Sequence, residues 1–206
     1  LPPDLLVPVQ GPHGERVFKL TMAVPDILER VGLRGPDGIT LVIAGRVEHA
    51  ARGCMCGTHA AVRAILGAIV AEPGDVVLVD MEAGLEHLSR SGGTLAHADA
   101  LMILIEPFYK SLVTGRSIAA LAAELGIPQR YAVINKVRSD EDLGTLDEFC
   151  SENGLMPLGS VPWDPRLQEA ETSNVAPIDF DPQAPGVLAA QTLARALLDR
   201  FAVAAS

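Results

Sequence analysis

The chain has 206 residues, 49% of them hydrophobic and 20% charged, and a formal charge of -10 at pH 7. That apolar share supports a large core and excludes global disorder, while the negative charge removes the counterion-release gain on which nonspecific DNA or RNA binding depends. Three cysteines make no disulfide framework, no apolar run reaches the roughly 18 to 20 residues of a membrane span, and no secretory signal opens the chain, so the expected setting is soluble, reducing and cytoplasmic.

The chain opens on Leu1 rather than Met, and Leu1-Pro2-Pro3-Asp4 has no start-like character. We read it as the carboxyl-terminal part of a longer protein. Residues 17–20 (VFKL) suit a short strand. Val24, Ile27, Leu28 and Val31 share one face of a helix over 24–31. A turn cluster at 34–38 precedes a strand at 39–44 (ITLVIA), and an irregular stretch at 46–57 contains Cys54 and Cys56. Thr58 can cap a helix in which Val62, Ile65, Leu66 and Ile69 recur at helical spacing.

Residues 76–79 (VVLV), 101–105 (LMILI) and 131–134 (YAVI) are continuous apolar runs, as buried parallel strands require. Between the last two, Ile118, Leu121, Ala122 and Leu125 form a helix stripe closed by Gly126 and Pro128. Leu143, Leu146, Phe149 and Cys150 form another. A short strand at 158–161 and a helix carrying Ala190 to Phe201 complete the pattern, and residues 179–185 read as a loop. Strands alternating with helices at crossover length predict an α/β fold: a three-layer α/β/α sandwich with a mostly parallel sheet, in one domain over 1–206.

In such a sheet, ligands bind beyond the carboxyl ends of the strands. Three of these ends are polar: Asp80 after VVLV, Glu106-Pro107 after LMILI, and Asn135-Lys136 after YAVI. Asp80 can hold the waters of a Mg²⁺ ion, and Gly84 lets a backbone N–H approach a terminal phosphate; the same residues also suit a plain strand-ending turn. The Asn135 amide offers the donor and acceptor that match an adenine edge, or simply solvates a strand end. Cys54 and Cys56, at i and i+2, can give two thiolates to one metal ion, and a two-fold dimer would complete a four-sulfur site. Otherwise they are small residues in a glycine-flanked loop. His59 reads as an exposed histidine and Cys150 as an inert core cysteine. Glu86 and His87 suit a helix surface, and Trp163, the only tryptophan, either packs over a ligand ring or fills a loop.

Taken in order, the CxC pair, DMEAGLEHL from Asp80, IEP from Ile105, TGRSIAALAAELGI from Thr114, YAVINKVR from Tyr131 and the VPWD loop from Val161 resemble the accessory ATPases of carbon monoxide dehydrogenase maturation, the CooC-type group. These belong to the MinD/ParA-like, nitrogenase-iron-protein-like branch of P-loop NTPases. The resemblance spans roughly residues 39–201 and is weak before them. It implies ATP bound and hydrolysed between two subunits of a homodimer, and nickel delivered to the dehydrogenase apoprotein. It further implies a Mg²⁺-linked acid at Asp80, a γ-phosphate-sensing glycine at Gly84 and adenine contacts at Asn135 with Lys136 beside it. Pro162 through Asp164 would cover the base, and Cys54 and Cys56 would bind Ni²⁺ or Zn²⁺.

One departure is large. No Gly-Lys-Thr or Gly-Lys-Ser loop occurs in the chain, so the expected fold is a P-loop NTPase lacking its first strand and phosphate loop. Without that nest of N–H groups and its lysine, the chain as given should bind nucleotide poorly and hydrolyse it negligibly. Two other readings stay open: a MinD/ParA-like positioning ATPase, against which the net charge argues, and a non-enzymatic metal-binding dimerisation module. Neither nucleic acid nor membrane is an expected partner.

Overall fold

The structure, a computed structural model, describes residues 1–11, 16–44, 56–69, 75–81, 88, 95 and 97–204. The chain divides into two compact units, Leu1–Ala98 and Asp99–Ser206.

In the first unit, a 3-10 turn at Pro3–Leu5 leads into β1 (Leu6–Gln10), which pairs antiparallel with β2 (Arg16–Leu20). Helix α1 (Val24–Val31) begins with Pro25 in its first turn, where a missing N–H costs nothing, and carries Asp26 near its start and Arg30 near its end. Arg30 reaches Asp4 at 2.8 Å and ties the helix to the opening turn. Its apolar face puts Val24 and Ile27 into a core shared with Leu5 and with Ile65 of α2 (Cys56–Ala68). A two-residue ladder joins β3 (Leu33–Arg34) to β4 (Thr40–Leu41).

The second unit holds a parallel sheet in the order β5-β6-β7, formed by Ala100–Ile105, Gln129–Val137 and Met156–Pro162. Helices α3 (Tyr109–Glu124) and α4 (Asp140–Glu152) are the crossovers. Gly115 of α3 comes so close to the sheet that a Cβ there would lie 2.7 Å from Ile105 Cγ2, with Phe149 of α4 alongside. The face of Ile105 and its register partner Ile134 is therefore covered by α3 and α4. The opposite face, that of Tyr131, Val133 and its partner Gly159, meets α7 (Pro185–Ala204): Leu193 packs on Gly159 and Arg200 lies over the Tyr131 ring. Helices on both faces give the three layers expected of an α/β sandwich. Gly126, at φ +73, ends α3 with the Ile127 N–H returning to the Ala122 carbonyl, a turn that an L side chain resists. Ser139 and Asp142 form a reciprocal capping box at the start of α4.

Several expected elements differ. Residues 39–44 were expected to form one strand, but only Thr40 and Leu41 pair, and Ile39, Leu41 and Ile43 are exposed. Residues 76–79 were expected to form a buried strand, but residues 75–81 carry no strand, and Val76, Val77 and Leu78 are half to three-quarters exposed. The physical reason is the same for both: a strand is held by hydrogen bonds to neighbours, and among the described residues the first run has only its two-residue ladder to β3 while the second pairs with no strand. Helices α5 (Pro165–Thr172) and α6 (Pro177–Phe180) had no expected counterpart. Of residues 179–185, expected to form a loop, Asp179 and Phe180 end α6 and Pro185 opens the last helix, which leaves 181–184 as the loop.

Candidate functional site

All three strands of the second sheet are parallel, so their carboxyl ends share one edge. At the end of β5, Glu106 accepts an ion pair from Lys136 at the end of β6, Nζ to Oε1 2.9 Å. Lys136 sits at φ +58, in the left-handed region, and its N–H donates to Asn135 Oδ1 at 3.0 Å. This kink coincides with the break in the β6–β7 register between Ile134 and Val137, after which Val137 pairs with Pro162. Asn135 is half-buried, and its amide nitrogen donates no hydrogen bond among the described residues. It is a donor at the sheet edge whose acceptor half is already engaged.

Pro162 is the last residue of β7 and the register partner of Val137. One residue further out, the Trp163 N–H donates to the Val137 carbonyl at 2.8 Å, and the Arg138 guanidinium lies over the Trp163 ring, 4.4 Å from its centroid. Asp164 is the one charged residue buried among the described residues. Its Oδ1 accepts from the Arg166 N–H and its Oδ2 from the Gly186 N–H, each at 2.9 Å. The carboxylate thus caps α5 and the first turn of α7 together, which commits this side chain to joining two helices. Its sequence neighbours Pro162 and Trp163 are the members of that loop left facing the edge.

Asp80 lies in the first unit, exposed, in residues 75–81, which form neither helix nor strand. Gly84 and Cys54, with Glu86 and His87, lie outside the described residues. Cys56 is the first residue of α2, and nothing of its side chain or that of His59 is described. Among the described residues, no group of three or more His, Cys, Asp or Glu side chains is arranged to hold a metal ion. Cys150 is buried, and burial, with Asp147 nearby, pushes its thiol above the ordinary value; it stays protonated and inert.

Asn135 and Lys136 are thus brought together with Glu106, Pro162 and Trp163 at one edge. Sequence reasoning missed the Arg138–Trp163 stack. Its signal was the β6–β7 register, which sets residues 138 and 163 side by side but is not visible in either segment alone. The edge can receive a flat heteroaromatic ring: an amide donor, an aromatic face and a guanidinium lie at its rim. No loop in the sequence offers the glycine-lysine cradle that a β-phosphate needs, so the fit to ATP lies at its base end.

The carbon monoxide dehydrogenase accessory protein CooC of Rhodospirillum rubrum is 39% identical over 183 residues, covering 89% of this chain and 67% of the relative. The chain belongs to the CooC family. An ATP-binding protein of Methanocaldococcus jannaschii is 35% identical over 174 residues, 84% of this chain and 66% of its own length. A second ATP-binding protein of that organism is 32% identical over 138 residues, 66% of this chain and 52% of the relative. The chain spans about two thirds of the length of the first two of these relatives. No family model matches it. The MinD cell division protein of Aquifex aeolicus is similar in structure over 52% of this chain and 46% of its own, with a TM-score of 0.45 and 19% identity.

Among the described residues, no helix is long and apolar enough to cross a membrane.

Proposed function

We propose that this CooC-family protein is an ATP-binding accessory factor for carbon monoxide dehydrogenase maturation that carries nickel on Cys54 and Cys56 across a homodimer interface. The observation that carries this reading is the 39% identity with the Rhodospirillum rubrum accessory protein over 89% of the chain. ATP binding has separate support in the relatives from Methanocaldococcus jannaschii, whose descriptions name that ligand.

Each residue's role follows from its chemistry. Asn135 offers its free amide donor to the adenine edge, with Lys136 and Pro162 framing it. Asp164 holds the covering loop through its two caps rather than by touching the base. Asp80 orients waters on Mg²⁺, and the Gly84 N–H meets the γ-phosphate when the rest of a phosphate cradle is supplied. Nickel is cargo, not a resident cofactor: two thiolates per protomer form half a site, so capture and release follow dimer closing and opening.

The deciding experiment titrates Ni²⁺ and Zn²⁺ into the chain and into a Cys54→Ser, Cys56→Ser variant, reading bound metal and mass together. We expect one ion per dimer, and its loss with the dimer in the variant. Equal metal stoichiometry in both proteins removes the nickel-handling role and leaves only ATP binding.

A further inference from the structure

We propose that Asn153-Gly154 is a spontaneous covalent modification site, where the asparagine deamidates through its own backbone, and that the folded end of α4 holds this reaction in check until it opens.

The turn after α4 makes two demands. Asn153 closes the helix: its side-chain Nδ2 donates to the Phe149 carbonyl at 2.8 Å, and its backbone N–H donates to the same carbonyl and to that of Cys150. The next residue sits at φ +62 with open space around an added Cβ, so conformation rather than room calls for glycine there. The Leu155 N–H then returns to the Cys150 carbonyl at 3.0 Å, and buried Leu155 leads directly into β7. Meeting both demands writes Asn-Gly, the pairing in which no side chain shields the carboxamide from the following nitrogen. Of the three asparagines, Asn135, Asn153 and Asn174, only Asn153 precedes a glycine. The Gly154 N–H donates no hydrogen bond among the described residues, so the nucleophile is unengaged.

The reaction consumes only water. Base removes the Gly154 amide proton, the nitrogen bonds to Asn153 Cγ, and the Cγ–Nδ2 bond breaks as ammonia leaves. Water then opens the succinimide at either carbonyl, giving aspartate or the β-linked isoaspartate, with no change of oxidation state. In the folded chain Nδ2 is held on Phe149, and ring closure must first break that bond. Once formed, neither product can rebuild the cap. A carboxylate has no donor for the Phe149 carbonyl, and it puts negative charge at the carboxyl end of a helix that already carries Asp147, Glu148 and Glu152 and no cation. The β-linked product also adds a backbone methylene at the turn that sets Leu155 in place. The lesion thus loosens α4 where Phe149 and Cys150 enter the core.

The test uses the whole chain, incubated at mildly alkaline pH in buffer and in guanidinium chloride. Circular dichroism certifies that the chain in buffer is folded, and peptide mass spectrometry reads conversion of amide to acid at each asparagine. In denaturant Asn153 should convert faster than Asn135 and Asn174, and Gly154→Ala should slow it severalfold. In buffer the Asn153 rate should fall about tenfold or more, as for a reaction that waits on local opening. Asn153→Asp, made directly, should unfold at lower denaturant than the wild type, and lower than Asn153→Ala, which loses the donor without gaining charge. An Asn153 rate in denaturant no greater than those of the other two asparagines overturns the site. Equal Asn153 rates in buffer and denaturant overturn the protection by the cap, and a wild-type midpoint for Asn153→Asp overturns the damage assigned to the product.

Discussion

At the residue scale, Asp164 has a role that its sequence neighbours do not reveal. The VPWD run suggests a loop that covers the base, and within it both carboxylate oxygens accept from helix N–H groups, one of them 22 residues away at Gly186. No local spacing encodes that second partner, which is why the sequence could not reveal it. A helix cap is typically worth about 1 kcal/mol, so Asp164→Ala, losing two in a buried position, should lower stability by about 2 kcal/mol. Asp164→Asn should fall between, because its amide NH₂ must face one of the two backbone donors. Denaturant melts decide this, and a wild-type midpoint for Asp164→Ala would return the residue to the ligand shell. Arg166 supplies a second, pH-dependent link. Its Nε donates to Asp181 Oδ2 at 3.0 Å, and that hydrogen bond holds the Asp181 carboxyl below its ordinary value of 3.8. A carboxylate whose folded pKa is depressed stabilises above the unfolded value and loses that contribution as pH falls through the folded one. The stability difference between wild type and Arg166→Met should therefore be present at neutral pH and be lost as pH falls below the ordinary carboxylate range. A difference that is constant from neutral to acid pH would show that Arg166 acts by packing, including its contact with Phe180.

At the element scale, what the sequence made legible was periodicity backed by a neighbour. The α1 reading matches its observed limits, Val24–Val31, and the three parallel strands of the second unit fall on or around their apolar runs. Residues 39–44 and 76–79 are similarly apolar, but among the described residues the first run has only a two-residue ladder to β3 and the second pairs with no strand, and both remain exposed. Strand formation depends on a partner that an apolar run cannot specify. The crossovers depend instead on close approach. Gly115 is buried in α3, and a methyl there would press on Ile105 Cγ2 at 2.7 Å with Phe149 just beyond. Alanine favours a helix over glycine by about 1 kcal/mol, but overpacking a rigid core costs about 1 to 3 kcal/mol. Ile105 is fully buried in a paired strand and has nowhere to move, so Gly115→Ala should destabilise. Gly144, on α4, has no atom within 4 Å of an added Cβ. There only the helix term operates, and Gly144→Ala should stabilise by about 0.5 to 1 kcal/mol. Opposite signs in paired thermal melts support the tight α3–sheet packing; a gain at both positions contradicts it.

At the scale of the whole molecule, charge separates the accessory reading from a positioning ATPase that works on DNA or membrane. The net charge of -10 opposes both surfaces, which are themselves anionic. A local basic patch could still overcome it, and the exposed C-terminal helix is the natural place to look. There Arg195 and Arg200 are the only cations, with Asp199 beside Arg200, and the guanidinium of Arg200 stacks over the Tyr131 ring of the sheet. That leaves too few free cations to release the counterions on which binding to a polyanion depends. The chain should therefore show no retention on duplex DNA or on phosphatidylserine vesicles even at about 50 mM salt, where electrostatic attraction is strongest. Co-sedimentation and anisotropy titrations across a salt series measure this directly. Binding that weakens steeply with added salt would reveal a concentrated basic surface and favour the positioning reading over nickel delivery. Salt-independent absence of binding leaves protein and metal as the partners that this acidic chain can engage.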